Sequence, residues 1–277
     1  MQLLKQCHCV FSLSVFALFT LSGFFCNAFA GWSGPSPIGG LSTHVYTPAS
    51  EPALNGKRAL LLVLHGCGQP ASDIQAHGNL TGSAEKYGMV VAVPQATNEG
   101  EGATLGCWDY YGMNHTRFAR HDQKLLSLVQ NLKSRADLNI DPDQVYISGI
   151  SSGAGQAFVI SCLAPDVFAG FGAVAGPTVG TTLAEFNSPV YANIDVPKGV
   201  ANCNTLAGAN KSHLQTQIAS FAHGQTDGMV APGYSDINAD VMATIYGATQ
   251  ATATRTIPAV KNADQSGIET FWIKDGK

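Results

Sequence analysis

A short strand pattern that runs straight into a glycine-flanked serine and then a helix constrains this chain more than any other feature. The stretch reads Val145-Tyr-Ile-Ser-Gly149-Ile-Ser151-Ser-Gly153, and small residues typical of a helix follow it. So sharp a turn requires glycine at 149 and 153, because a Cβ at either position would clash with the neighbouring strand or helix. The turn places the Ser151 hydroxyl above the sheet, beside the unpaired N–H of Ser152. Acyl transfer needs such a hydroxyl, so Ser151 is the candidate nucleophile; a plain strand-to-helix turn is the alternative.

A second glycine-rich bend follows the most apolar run of the chain. Residues 59–64 are continuously apolar, as expected of a strand covered on both faces, and they lead into His65-Gly-Cys67-Gly-Gln69. In this topology such a loop offers a backbone N–H to the nucleophile. We therefore assign the two oxyanion donors to the N–H groups of Cys67 and Ser152. A simple glycine turn is the alternative for the loop.

The candidate acid lies just beyond a later strand. Residues 217–222 form a strand pattern that leads into His223-Gly-Gln-Thr-Asp227-Gly. An aspartate at this place, downstream of the serine, suits the acid that orients and stabilises a histidine base. An Asp-Gly turn is the alternative for Asp227. His223 is interpreted as a turn-packing residue, because it precedes the acid.

A base for Ser151 is missing from this pattern. In this chain order the histidine follows the last strand, predicted at 268–273, yet none of the eight histidines lies beyond His223. A serine hydroxyl without a base is a poor nucleophile. We expect the histidine in a segment that follows Lys277, so that the C-terminal end of the fold is truncated here. Two alternatives stay open: an inactive natural truncation, or movement of His213 or His223 into the site.

Three aromatic residues within four positions lie on a loop that begins as a polar, glycine-rich segment. They are Trp108, Tyr110 and Tyr111, and they directly follow Cys107. We predict that these rings wall an apolar cleft for an acyl chain or a polymer surface. A small core beneath the loop is the alternative.

Strand and helix patterns alternate along the chain. Strands are predicted at 41–46, 59–64, 89–93, 145–148, 171–175, 217–222 and 268–273. Helices are predicted at 80–87, 121–136, 152–163 and 234–248, whereas 178–213 is interpreted as an irregular inserted loop. The alternation predicts an α/β fold in which helices cover both faces of a mostly parallel sheet, as one domain over 31–277.

The first thirty residues predict export. Lys5 precedes an apolar run over 10–25, and Ala28-Phe-Ala30 forms a signal cleavage site. A transmembrane anchor is the alternative, but the run is short and interrupted by polar residues. We expect a secreted or periplasmic protein with no stable membrane insertion after cleavage.

Four cysteines remain after cleavage, and an even count in an exported chain favours two disulfides. Sequence allows three pairings, and four buried thiols are the alternative. We prefer Cys67–Cys107, which would hold the aromatic loop beside the oxyanion loop. Cys162–Cys203 would then join the 178–213 segment to the helix that follows Ser151.

Composition and motifs point to no partner other than a substrate. The net charge is −4 and basic residues do not cluster, which argues against a nucleic-acid partner. Cysteines and histidines lack metal-ligand spacing, so neither a metal nor another cofactor is predicted.

Taken together, the motifs resemble the secreted poly(3-hydroxybutyrate) depolymerase and feruloyl-esterase-like family of α/β-hydrolases. The resemblance rests on five segments: Leu64-His-Gly-Cys-Gly-Gln69, Gly106-Cys-Trp-Asp-Tyr110, Val145-Tyr-Ile-Ser-Gly-Ile-Ser-Ser-Gly153, Pro165-Asp-Val-Phe-Ala-Gly170 and Phe221-Ala-His-Gly-Gln-Thr-Asp227. The resemblance implies an α/β-hydrolase fold with Ser151 as nucleophile, Asp227 as acid, and Cys67 and Ser152 as oxyanion donors. It also implies a Gly-His motif just beyond Lys277.

The activity that the resemblance implies is that of an exported serine esterase. Such an enzyme hydrolyses polyhydroxyalkanoate through an acyl-enzyme, with a polyester or a small ester as substrate. A feruloyl or acetyl-xylan esterase is the alternative enzyme. A non-catalytic binding protein on a hydrolase scaffold is the alternative of another class.

Overall fold

The central sheet of the protein has seven strands in the computed structural model, which describes residues 30–53, 56–186, 194–259 and 267–275. The strands are β1 (Gly31–Ile38), β2 (Leu41–Thr47), β3 (Arg58–Leu64), β4 (Val90–Pro94), β5 (Ile140–Ile150), β6 (Gly170–Val174) and β7 (Ile218–Ala222). Their order is β1-β2-β4-β3-β5-β6-β7, and the last five in that order run parallel. The predicted mostly parallel sheet is confirmed. The predicted export signal lies outside the described residues, apart from its last residue.

Seven α-helices occur among the described residues. They are α1 (Ala71–His77), α2 (Leu80–Tyr87), α3 (Arg120–Lys133), α4 (Ser152–Leu163), α5 (Leu183–Phe186), α6 (Val196–Ala207) and α7 (Gly233–Tyr246). Short 3-10 segments lie at Ala103–Leu105 and Gly208–Thr216. None of the described helices combines the length and the hydrophobicity needed to cross a membrane.

The two sides of the sheet carry separate cores. Successive side chains of β3 point to opposite faces of the sheet. Leu60 and Leu62 belong to the larger core, which includes residues of α3, α4, α6 and α7. Leu61 packs against the smaller core, which includes residues of α1 and α2. The helix α4 is buried along its whole length, and Phe158 is among the largest fully buried side chains. This helix therefore fixes the position of the residues at its N-terminus against the middle of the sheet.

One half of the second face is open among the described residues. On this face Ile218 is 65% exposed and Val174 is 41% exposed. A shallow apolar pocket of about 240 Å³ lies between Leu61, Tyr146 and Ile218. Helices thus cover both faces over β2–β4, as predicted, whereas over β5–β7 the described helices cover one face.

Two segments differ from the prediction. The segment predicted as an irregular loop contains α6, whose first turn is capped by the Asp195 side chain accepting the Lys198 N–H at 2.8 Å. The strand predicted at 268–273 forms β9 (Gly267–Ile273), but it pairs antiparallel with β8 (Thr249–Ile257) in a separate two-stranded sheet. A period-two pattern identifies a strand and leaves its partner undetermined.

Candidate active site

Ser151 occupies a strained turn between β5 and α4. Its φ of 55° and ψ of −121° lie in a region that non-glycine residues avoid, at a cost of about 1–3 kcal/mol. The Ser151 N–H donates to the Val174 carbonyl at 3.0 Å, and its own carbonyl accepts the N–H groups of Ala154 and Gly155. These bonds fix the backbone on both sides of the turn. The side chain remains partly exposed, so the structure lifts it out of the packed helix.

The two flanking glycines allow this close packing. A Cβ at Gly149 would overlap the backbone of Gly153. A Cβ at Gly153 would lie 2.5 Å from the carbonyl oxygens of Leu64 and His65. The predicted need for glycine at both positions is confirmed, and the second contact shows that the turn packs directly against the end of β3.

The predicted oxyanion loop lies beside Ser151. A Cβ built on Gly66 would be 3.3 Å from the Ser151 Cβ, so the residue before Cys67 adjoins the candidate nucleophile. The Gly66 carbonyl accepts a hydrogen bond from His65 Nδ1 at 2.7 Å. In a trans peptide the carbonyl of one residue and the N–H of the next point in opposite directions. His65 therefore sets the direction of the Cys67 N–H.

His65 is itself held by the end of β4. Its Nδ1 donates to a carbonyl, so Nε2 is the acceptor for the Ala96 N–H at 3.0 Å and faces the Gln95 side chain at 2.9 Å. Burial lowers the pKa of His65, which favours the neutral ring that this pattern requires. Sequence reasoning missed this residue, although a histidine directly after a buried strand was the available signal.

Both proposed donors are free of protein acceptors within the part of the chain that the structure describes. Ser152 is the first residue of α4, so its N–H has no acceptor inside the helix. The described residues also provide no carbonyl or side-chain acceptor for the N–H groups of Cys67 and Ser152. The Ser152 hydroxyl has a separate task, because it accepts the Trp108 N–H at 3.4 Å. This contact joins the turn to the aromatic loop.

Asp227 is a well-held carboxylate at the same edge of the sheet. Its Oδ1 accepts the N–H groups of Met229 at 2.8 Å and Val230 at 3.0 Å, and its Oδ2 lies 3.3 Å from His223 Nε2. Hydrogen bonds from Val230 and Met229 together with His223 lower the pKa of Asp227. The carboxylate is 22% exposed, which leaves it accessible to a further donor.

The sheet register relates Asp227 to Ser151. Ser151 follows β5 and the loop that contains Asp227 follows β7, with β6 between the two strands. The Val174 carbonyl accepts the Ser151 N–H, and the Ala222 carbonyl accepts the Ala175 N–H at 2.8 Å. These bonds connect the carboxyl ends of the three strands, so both side chains arise from one edge.

The three aromatic residues do not form a substrate wall. Trp108 and Tyr110 are fully buried and Tyr111 is 1% exposed. The Trp108 ring packs against His65, and a Cβ at Gly155 would lie 2.7 Å from the Tyr110 ring. The prediction that these rings grip substrate is wrong, since they form the core that supports the oxyanion loop and α4. Their polar flanking sequence suggested a surface loop and gave no sign of the helix packed above it.

Both preferred disulfides are present. Cys67–Cys107, which we call the loop disulfide, has a Cα–Cα distance of 4.1 Å, and Cys162–Cys203, the helix disulfide, has one of 5.0 Å. The loop disulfide joins the oxyanion loop to the aromatic loop, and the Gly68 N–H donates to the Gly106 carbonyl at 3.3 Å beside it. The helix disulfide joins α4 to α6, as predicted for the 178–213 segment.

The described histidines have other partners or lie elsewhere. His65 and His121 are buried, and His115 is paired with Asp122 at 3.0 Å. His213 precedes β7 and so lies at the opposite edge of the sheet from Ser151. His223 contacts Asp227. Among the described residues, no group of three or more His, Cys, Asp and Glu side chains is arranged to hold a metal ion.

This arrangement of sheet, turn and helix is that of an α/β-hydrolase. A family model for esterase PHB depolymerases matches residues 41–265, and the chain belongs to that family. The family resemblance drawn from the motifs is therefore confirmed.

Sequence similarity to individual known proteins supports the family assignment. The chain is 42% identical over 224 residues to a poly(3-hydroxybutyrate) depolymerase of Ralstonia pickettii, covering 78% of this chain and 45% of that protein. It is 28% identical to poly(3-hydroxyalkanoate) depolymerase C of Paucimonas lemoignei, covering 87% of this chain and 55% of that protein. The chain thus spans about half the length of these relatives.

A solved structure shares the fold. The acetyl xylan esterase from Aspergillus awamori aligns with a TM-score of 0.63 at 15% identity, over 87% of this chain and 94% of that one. At this identity the likeness concerns the fold alone.

Proposed function

We propose that this protein is an exported serine esterase that hydrolyses polyhydroxyalkanoate ester bonds through an acyl-enzyme. The observation that carries the proposal is the strained Ser151, with the Cys67 loop packed against it and the free N–H of Ser152 beside it. Strain of this kind persists where the surrounding structure enforces it, and it concentrates at functional sites. Similarity to polyester depolymerases supports the choice of substrate.

The proposed reaction has two steps. Ser151 Oγ attacks the ester carbonyl carbon while its proton passes to a base, and the carbonyl oxygen becomes an oxyanion bound by the N–H groups of Cys67 and Ser152. Collapse of this intermediate breaks the ester bond, and the alcohol end leaves with the proton from the base. Water then attacks the acyl-serine and releases the hydroxyacid. Asp227 orients the base and stabilises its charged form.

The position of the base is part of this proposal. We propose that it is a histidine outside the described residues, as the family resemblance implies. Among the described histidines, His65, His115, His121 and His223 already have hydrogen-bond partners. In a comparable serine hydrolase, loss of one triad member lowers turnover by about 10⁶. We therefore expect very low turnover from this chain when no base is supplied. The proposed location is the periplasm or the cell exterior, in keeping with the two disulfides.

The burial of Trp108, Tyr110 and Tyr111 does not separate the candidate substrates, because the polyester and the phenolic or sugar-ester assignments both used these rings as a binding surface. Similarity to polyester depolymerases keeps polyester hydrolysis as the first candidate activity. Ferulate esters and acetylated xylan are the comparison substrates.

The test compares two forms of the protein on three substrates. One form is the 277-residue chain with free imidazole added as a substitute base, and the other is extended into the coding sequence that follows Lys277. We expect both forms to release hydroxybutyrate from dispersed poly(3-hydroxybutyrate), and we expect Ser151→Ala to abolish release. Preferential release of ferulate or acetate would overturn the substrate assignment. Binding of polymer with no release from any substrate would favour the non-catalytic binding protein.

A further inference from the structure

His223 holds together the loop that carries the acid. Its side chain is 5% exposed although it directly follows the exposed end of β7. Its Nε2 lies 3.0 Å from the Val230 carbonyl and 3.3 Å from Asp227 Oδ2. Both neighbouring atoms are acceptors, so Nε2 carries the hydrogen and donates to them. One N–H thus joins the first residue of the loop to Val230, near its end, and to the carboxylate.

The donors around Asp227 determine which lone pair is left. A carboxylate oxygen accepts about two hydrogen bonds, and Oδ1 already receives two, from the N–H groups of Met229 and Val230. Oδ2 receives the His223 donor and has room for one more. Donors on both oxygens also prevent the carboxylate from rotating. The open position on Oδ2 is therefore fixed in direction.

We propose that His223 is a positioning residue for Asp227, which directs the open lone pair of Oδ2 toward the catalytic base. The proposal rests on the proposed function of Asp227 as the acid. It replaces the interpretation of His223 as a turn-packing residue. A role as the base itself fits the geometry less well, because Nδ1 is the nitrogen that would have to take the Ser151 proton, and it is buried with no partner among the described residues.

Paired variants separate hydrogen bonding from packing. His223→Gln retains an N–H donor at about the reach of Nε2, whereas His223→Met has similar length and no donor. If the proposal is right, Gln preserves the state of Asp227 and Met disturbs it. If His223 only fills space, the two variants behave alike. If His223 is the base, Gln fails as completely as Met.

The primary measurement is the titration of the Asp227 carboxyl carbon by NMR in the full chain. We expect a pKa below the ordinary value in the wild type and in His223→Gln, and an upward shift in His223→Met. Equal pKa values in Met and wild type would overturn the proposal, as would an upward shift of the same size in both variants. If His223→Met does not fold, His223→Phe takes its place.

Turnover supplies a second readout. In the form that hydrolyses a soluble ester, loss of one hydrogen bond to a charged group predicts a fall in kcat of roughly tenfold for His223→Met with little change in KM. Partial rescue is expected in His223→Gln, and complete loss in that variant would contradict positioning. The titration needs no ester turnover. If the titration gives the expected result but neither the extended form nor the imidazole-supplemented chain hydrolyses any ester, the positioning contact stands and the proposed function is rejected.

Discussion

Two substitutions of His65 distinguish its effect on the direction of the Cys67 N–H from its effect on the stability of the loop. His65→Asn places an amide N–H near the position of Nδ1, so it retains the donor to the Gly66 carbonyl and loses the acceptor for the Ala96 N–H. His65→Gln does the reverse, because its amide oxygen reaches the position of Nε2. Each variant leaves one buried polar group unpaired, which costs about 1–3 kcal/mol of unfolding free energy.

The two variants differ in their expected effect on catalysis. In His65→Gln the Gly66 carbonyl keeps the weaker contact from the Gln69 N–H at 3.3 Å, so the Gly66–Cys67 peptide can rotate. Complete loss of an oxyanion donor lowers kcat by about 10²–10³. We therefore expect a fall in kcat of roughly 10–100-fold in His65→Gln and less than about tenfold in His65→Asn.

Urea unfolding and turnover of a soluble ester measure the two effects separately. Stability losses of similar size together with a selective fall in kcat for His65→Gln would support the peptide-plane argument. Equal kcat in the two variants, or a larger fall in His65→Asn, would refute it.

Further predictions concern the disulfides, the turn and pH. Loops of 40 and 41 residues predict a loss of about 4 kcal/mol when either disulfide is replaced by alanine pairs, measured by urea unfolding, with reduced kcat for the loop disulfide alone. Gly153→Ala should lower the melting temperature and abolish turnover through overlap with two carbonyls, whereas Gly224→Ala, with nothing within 4 Å of its Cβ, should not lower the melting temperature. Burial lowers the pKa of both His65 and His121, so the unfolded chain binds more protons below about pH 6.5, and unfolding free energy should rise from about pH 5.5 to 7.

Each of these has a contradicting result. If removal of either disulfide lowers kcat equally, the loop disulfide has no specific role at the site. An unchanged melting temperature in Gly153→Ala would mean that the turn relaxes freely. A flat stability profile over that pH range, or one that is unchanged in His65→Gln, would show that the buried rings do not resist protonation.

The features that sequence predicted are those determined by local geometry. The glycines at 149 and 153 are needed by one turn between adjacent elements, so their spacing alone indicates Ser151 as the candidate nucleophile. The apolar run over 59–64 indicated a strand buried on both faces, because few other environments suit it. The setting of Asp227 is also local, because its carboxylate accepts hydrogen bonds from the N–H groups of Met229 and Val230 in the same loop.

The features that sequence missed depend on distant partners. Trp108 looked exposed because its neighbours are polar, and its burial comes from α3 and α4, which lie later in the chain. The role of His65 depends on Ala96, 31 positions away. His223 lies only four positions from Asp227, but its direction is set by the path of the loop to Val230. Residue type and spacing do not determine such contacts.

The most direct test of the account is to locate the residue that reacts with a fluorophosphonate. The 277-residue chain is incubated with the reagent and free imidazole, digested, and analysed by tandem mass spectrometry, with Ser151→Ala and Asp227→Asn in parallel. We predict one adduct on the peptide that contains Ser151, slower labelling in Asp227→Asn and none in Ser151→Ala. An adduct at another serine, or labelling that persists in Ser151→Ala, would contradict the central claim that this hydroxyl is the nucleophile.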